Sequence, residues 1–156
     1  MTRLVPLLLA LLPLAAQAKD TDRGQYLVTI MGCTDCHTPG HLLGQPDMAR
    51  FLGGSDVGFE IPGLGTFLGP NLTPDPTGLA DWSADQIATA IRTGVRPDGS
   101  QLAPAMPWMG YAALTDEDAL AIATYLKSLP PVAHEVPGPF GPGEPSGGFV
   151  MKVVAP

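Results

Sequence analysis

Five consecutive residues, Cys33-Thr34-Asp35-Cys36-His37, constrain this chain more than any other stretch. Two thiols separated by two residues and followed at once by an imidazole form the C-x-x-C-H pattern of covalent haem attachment. A short turn presents both sulfurs along one edge of a porphyrin, where they add to its two vinyl groups. The next residue is then held under the macrocycle, where an axial ligand of the iron must sit. On this reading Cys33 and Cys36 anchor one haem c and His37 binds its iron. The rest of the chain must then set the potential, access and partners of that iron. Other readings exist. Cys33 and Cys36 are the only cysteines, and as a redox pair they would need a βαβ setting, which the flanking sequence lacks. A structural zinc site needs four tetrahedral ligands, and the remaining histidines, His41 and His134, lie in no paired ligand motif. A chance occurrence of the pattern is the third.

The chain has 156 residues, enough for one domain with one core. Its start has the form of a secretory signal peptide: Arg3, an apolar run from Leu4 to Ala16, then Ala16-Gln17-Ala18 ahead of polar Lys19-Asp20. The run is short for a bilayer span and is interrupted by Pro6 and Pro13. An uncleaved amphipathic anchor is the other reading. Residues 1–18 are therefore expected to be a bacterial export signal, with the mature protein in the periplasm, where haem is attached to exported apoproteins. No other transmembrane segment is evident, so no stable membrane insertion is expected after cleavage. The formal net charge is −7, and losing Arg3 with the signal makes the mature chain more acidic. Such a surface repels nucleic acid and anionic lipid, and it favours partners with a basic docking patch. The same charges also serve plain solubility.

Three helices are expected. The first spans about Asp22 to Met31, with Tyr26, Leu27, Ile30 and Met31 near helical period and Gly32 ending it. The second opens on a capping box from Ser83 to Gln86 and carries Ala84, Ile87, Ala88 and Ile91 on one face, with Gly94 as its stop. The third has Thr115 as N-cap and Asp116, Glu117 and Asp118 in its first turn. Ala119, Ile122, Ala123 and Leu126 form its inner face, and Pro130 and Pro131 end it. Residues 38–81 are rich in Gly and Pro and read as a long loop around the haem edge, with a short hairpin near Phe59-Glu60-Ile61. Residues from Val95 to Tyr111 read as a second loop. After Pro131 the composition shifts to Pro and Gly, and only residues 149–154 have the character of a strand or an extended segment.

This order of helix, attachment motif, long loop, helix, loop and helix resembles a class I cytochrome c. Further motifs resemble a bacterial subgroup of that family: Gly69-Pro70-Asn71-Leu72-Thr73-Pro74-Asp75, Trp82-Ser83, Pro104-Ala105-Met106-Pro107-Trp108, Leu114 to Asp118, and Tyr125-Leu126. Haem domains of that kind occur in cytochrome subunits of alcohol, aldehyde and gluconate dehydrogenases and as small soluble monohaem proteins. The resemblance covers about Asp22 to Val132 and implies an all-α fold of three main helices and long loops around one haem. It implies that the Pro70 carbonyl accepts the His37 N–H, which orients the ring and raises its basicity. It also implies that Met106 is the sixth ligand. A Pro-flanked loop between two helices suits a weak thioether ligand, and a thioether raises the potential relative to a second histidine. Core packing is the other role for Met106, and Met109 is the rival ligand. Asn71, Trp82 and Tyr26 are expected around the haem pocket; ordinary aromatic core is the other role for Trp82 and Tyr26.

The expected organisation is a signal over 1–18, a cytochrome c domain over 19–132 and a Pro/Gly-rich tail over 133–156. The expected function is a periplasmic electron carrier and not an enzyme, because six-coordinate iron leaves no open position and no acid–base or nucleophilic cluster is evident. Its redox partners would be a dehydrogenase or terminal oxidase. Two alternatives stay open: a dedicated haem subunit of a dehydrogenase or oxidase complex, docked through the tail, and a haem-based gas sensor in which Met106 dissociates.

Overall fold

Helix α1 (Leu12–Ile30), α3 (Ala84–Thr93) and α5 (Asp116–Ser128) form the frame of the computed structural model, which describes residues 12–152 and 154. Between them lie α2 (Cys33–His37), single 3₁₀ turns at His41–Leu43 and Met48–Arg50, strands β1 (Val57–Ile61) and β2 (Gly65–Leu68), and the short α4 (Trp108–Tyr111); β3 (Phe149–Lys152) follows the last helix. Residues 1–11, most of the expected signal segment, lie outside the described residues. Helix α1 starts earlier than the periodicity of its apolar face suggests and runs through Ala18 without a break. Among the described residues no helix is long and apolar enough to cross a membrane.

The helix ends follow the local chemistry. Ser83 Oγ accepts the Gln86 amide while Gln86 Oε1 accepts the Ser83 amide, so the capping box is complete. Gly94 closes α3 at φ 73°, a left-handed conformation that glycine adopts without a Cβ penalty. Thr115 caps α5 by accepting the Asp118 amide.

Leu27 and Val28 of α1, Ile87 of α3, and Ile122, Ala123, Tyr125 and Leu126 of α5 meet Leu52 and Leu79 of the loops in one cluster. Each fully buried Leu or Ile here contributes about 1.5–3 kcal/mol. Helices α1 and α5 touch most closely at Gly24. A methyl group there would collide with the Ala121 carbonyl and lie 2.7 Å from Tyr125 Cβ. At the edge of this contact Arg23 donates two hydrogen bonds to the Asp118 carboxylate, at 2.8 and 3.1 Å, and holds that carboxyl below its ordinary range.

The strands amend the all-α expectation. β1 and β2 form an antiparallel hairpin from Gly58↔Leu68 to Ile61↔Gly65, closed at its base by Ser55 N–H donating to Gly69 O at 2.8 Å. β3 then pairs parallel with the other edge of β1, from Val57↔Phe149 to Glu60↔Lys152, giving the order β2-β1-β3. A parallel pairing between such distant segments has no local signature, which is why composition suggests only a loop and a tail there. Residues 132–136 alternate, with Val132, His134 and Val136 turned in and Ala133 and Glu135 exposed. This segment is an extended strap against the body.

Gly24→Ala should destabilise the protein by about 1–3 kcal/mol by forcing α1 from α5. Gly110→Ala, where a methyl meets nothing within 4 Å, should change stability little. Urea unfolding of both variants checks this.

Candidate functional site

The attachment motif itself is helical. Gly32 enters α2 at φ 68°, and Cys33-Thr34-Asp35-Cys36-His37 make one turn and a half. Cys33 and Cys36 are free thiols and half-buried. Burial pushes the Cys33 thiol up to about 11, and burial with the nearby Asp35 charge raises that of Cys36. Among the described residues no three His, Cys, Asp or Glu side chains gather into a set able to hold a metal ion.

His37 is buried at the end of α2, and its Nδ1 lies 2.7 Å from Pro70 O. A carbonyl can only accept, so the proton sits on Nδ1 and the Nε2 lone pair is left free. Burial lowers the pKa of this imidazole, against the opposing pull of the Pro70 carbonyl, which favours the neutral ring, the form in which an imidazole binds a metal. The close approach depends on Gly69: a methyl there would collide with the Cys36 carbonyl and lie 3.2 Å from His37 Nδ1. The backbone of the ligand is held as well, because Gly54 N–H donates to His37 O at 2.8 Å. Next along, Thr38 Oγ1 accepts the Leu52 amide at 3.0 Å, and Leu52 O accepts the Leu72 amide at 2.8 Å. Leu52, fully buried, is thereby held at φ 57°, which costs a non-glycine residue about 1–2 kcal/mol.

Asn71 is buried, and its amide is fully engaged by protein. Nδ2 donates to Thr77 Oγ1 (3.0 Å), Val132 O (2.7 Å) and His134 O (3.4 Å), while Oδ1 accepts from Thr73 N (2.9 Å) and Thr73 Oγ1 (2.7 Å). Asp75 accepts the Thr77 amide and hydroxyl, which hold its carboxyl below the ordinary range. The alternate residues 71, 73, 75 and 77 thus build one polar socket, and the strap lies in it.

Met106 is half-buried in a turn that leads into α4, where Met106 N donates to Ala103 O and Trp108 N donates to Met106 O. Met109, on α4, is 62 % exposed. Tyr111, which the sequence patterns do not single out, ties this turn to the motif: its hydroxyl donates to Met31 O at 3.0 Å. Burial, then the neighbouring Cys33, Cys36 and Asp35, push its phenol up to about 12. Trp82 is half-buried against the core cluster. Tyr26, expected at the pocket, is 54 % exposed and lies under the Arg23 guanidinium at 5.6 Å. His41 Nε2 lies 3.1 Å from Asp35 Oδ1.

Two features fit a porphyrin with carboxylate arms. His37 keeps its free nitrogen inside a buried, sterically enforced cradle. The Trp108 indole N–H is buried with no acceptor among the described residues, an arrangement that needs a partner.

Comparison with known proteins agrees. Residues 21–130 match the family model described as Cytochrome c. The chain is 36 % identical over 132 residues to the alcohol dehydrogenase (quinone) cytochrome c subunit of Gluconobacter oxydans, covering 80 % of this chain and 26 % of that one. It is 34 % identical to the fructose dehydrogenase cytochrome subunit of Gluconobacter japonicus, covering 82 % and 26 %. It is 37 % identical to the gluconate 2-dehydrogenase cytochrome c subunit of Pantoea cypripedii, covering 86 % and 30 %. The chain thus spans between a quarter and a third of the length of these relatives.

Tyr111→Phe should lower stability by about 1 kcal/mol at neutral pH, the net worth of one hydrogen bond. The wild type should also lose stability as pH rises from the ordinary 10.0 toward about 12, because the unfolded phenol ionises first. Urea unfolding across that range should show the loss in the wild type and a smaller one in the variant.

Proposed function

The chain belongs to the cytochrome c family, and on that premise we propose that it carries single electrons through one covalent haem c whose iron is bound by His37 and Met106. The members of this family are electron-transfer modules and not enzymes in their own right. The observation that carries the ligand assignment is the His37 Nδ1–Pro70 O contact of 2.7 Å, which leaves one nitrogen and one tautomer for the metal. Bound haem supplies the one-electron ferric/ferrous couple. Everything else falls to the chain. The Cys33 and Cys36 sulfurs hold the ring by thioether bonds, and the single motif gives one haem. His37 keeps its proton on Nδ1, which donates to Pro70 O. The Met106 loop, stiffened by Pro104 and Pro107 and tied back by Tyr111, presents a soft sulfur that favours the ferrous state. The Trp108 N–H is available to a propionate.

A dedicated haem subunit of a periplasmic or membrane-associated dehydrogenase is an equally supported setting for the same chemistry. Its support is the set of dehydrogenase cytochrome subunits among the relatives. In either setting the donor is a dehydrogenase and the location is the periplasm, which the signal-like residues 1–18 support. The acidic surface would meet a basic patch on the partner, so exchange with such a partner slows as salt rises.

Haem should stay with the denatured protein through acid–acetone extraction. The weak sulfur-to-ferric band at the far-red end of the oxidised spectrum should vanish in Met106→Ala and persist in Met109→Ala. Freely extracted haem refutes covalent attachment, and loss of the band only in the Met109 variant moves the ligand to α4. The midpoint potential should be positive, and ferrous protein should bind CO slowly because Met106 must leave first. A negative midpoint with rapid CO binding would replace the carrier with the gas-sensor reading.

A further inference from the structure

The strap offers a role that the helices and the motif do not explain. His134 lies outside the residues that match the family model, yet it holds both chain segments that flank His37. On one side its ring Nδ1 donates to Gly53 O at 2.7 Å. Gly53 precedes Gly54, whose amide donates to the His37 carbonyl. On the other side the His134 backbone joins the polar socket: its carbonyl accepts Asn71 Nδ2 at 3.4 Å and its amide donates to Thr77 Oγ1 at 3.3 Å. Asn71 follows Pro70, whose carbonyl holds the His37 ring.

The fit is tight. Methyl groups at Gly53 or Gly54 would collide with Val132 and Val136, so the two glycines are flush with the strap. The ring also has a defined tautomer. A carbonyl at Nδ1 puts the proton there, and Nε2 faces an Arg50 N–H at 3.4 Å as an acceptor. A surface tail bound only for coverage would not need a specific donor aimed at a specific backbone carbonyl.

We propose that His134 is a positioning residue for the iron ligand, fixing the orientation of the His37 imidazole by clamping the Gly53-Gly54 and Pro70-Asn71 segments between which it is suspended. The proposal rests on the reading of His37 as the axial ligand. If His134 lets go, Gly54 and Pro70 are free to drift, the ring turns about the axis to the metal, and the hydrogen bond that makes it a strong donor lengthens.

The test uses the full holoprotein in three forms: wild type, His134→Leu and His134→Asn. Asparagine places an amide N–H close to where His134 carries Nδ1, and leucine cannot donate. The readout is the set of hyperfine-shifted haem methyl resonances in the ferric state, which follow ligand orientation and do not respond to a mere loss of stability in protein that is still folded. The midpoint potential is measured alongside. We expect the methyl resonances to move and the midpoint to rise in His134→Leu, with both returning toward wild type in His134→Asn. Identical shifts and potentials in all three would overturn the proposal, as would equal displacement in both variants. A wild type whose ferric spectrum shows no imidazole-ligated low-spin iron would overturn the ligand reading and the proposal together. Should His134→Leu yield no holoprotein, amide exchange in the wild type decides. The Val132 and His134 amides should then be protected within about tenfold of the Gly54 amide, because they open together. Strap amides that exchange far faster would show that the strap lifts without disturbing the ligand, and would overturn the proposal.

Discussion

A single hydrogen bond, from His37 Nδ1 to Pro70 O, determines what the rest of this structure has to do. It fixes a tautomer, turns a ring and holds the loop at Pro70 against one short helix, while the Gly54 amide brings a second loop to the His37 carbonyl. Proline has no amide N–H to need a partner of its own, and its ring restricts the turn that presents the carbonyl. Gly69 must lack a side chain so that this carbonyl can come close. Leu52 sits at an unfavourable φ because its amide and its carbonyl are stitched to Thr38 and Leu72 on either side of the cradle. The three helices form the frame against which this arrangement is braced, and the Gly24 contact between α1 and α5 keeps that frame closed.

Features governed by neighbours in sequence were legible in advance. The capping box at Ser83, the glycine stop at Gly94, the Thr115 cap and the apolar faces of α3 and α5 all depend on a few adjacent residues, and the structure shows them in place; on α1 the expected face is corrected, because Leu27 is buried but Tyr26 and Ile30 are exposed and Val28 takes the second core position. The hairpin near Phe59 was visible as a break in a featureless loop. Features governed by distance were not legible. The parallel partner of β1 comes from residues 149–152, and no pattern inside either segment names the other. Helix α4 is four residues long, below the length at which periodicity can speak. Tyr111 sits among residues that read as loop, and only the Met31 carbonyl at the end of α1 gives it a purpose. Tyr26 belonged to an apolar face by spacing, but Arg23 beside it gives its ring a cationic neighbour at the surface.

Asn71 illustrates a case between these. Its motif predicts a place at the haem pocket. The structure spends its amide entirely on Thr73, Thr77, Val132 and His134. The Asn-Leu-Thr-Pro-Asp run is therefore a socket for a later part of the chain: its polar side chains, presented from bends and turns, bond the backbone of a segment that arrives from beyond α5.

The parallel pairing of β1 with β3 also has a meaning for the order in which the molecule is assembled. Residues 57–61 leave a ribosome or an export channel long before residues 149–152 do. The closure entropy of so long a connection is met only when its far end arrives, so β3 joins the β1–β2 hairpin late. The strap is likewise made after the residues it covers: Gly53, Gly54 and Asn71 gain their neighbours Val132, Val136 and His134 only from chain that follows the last helix.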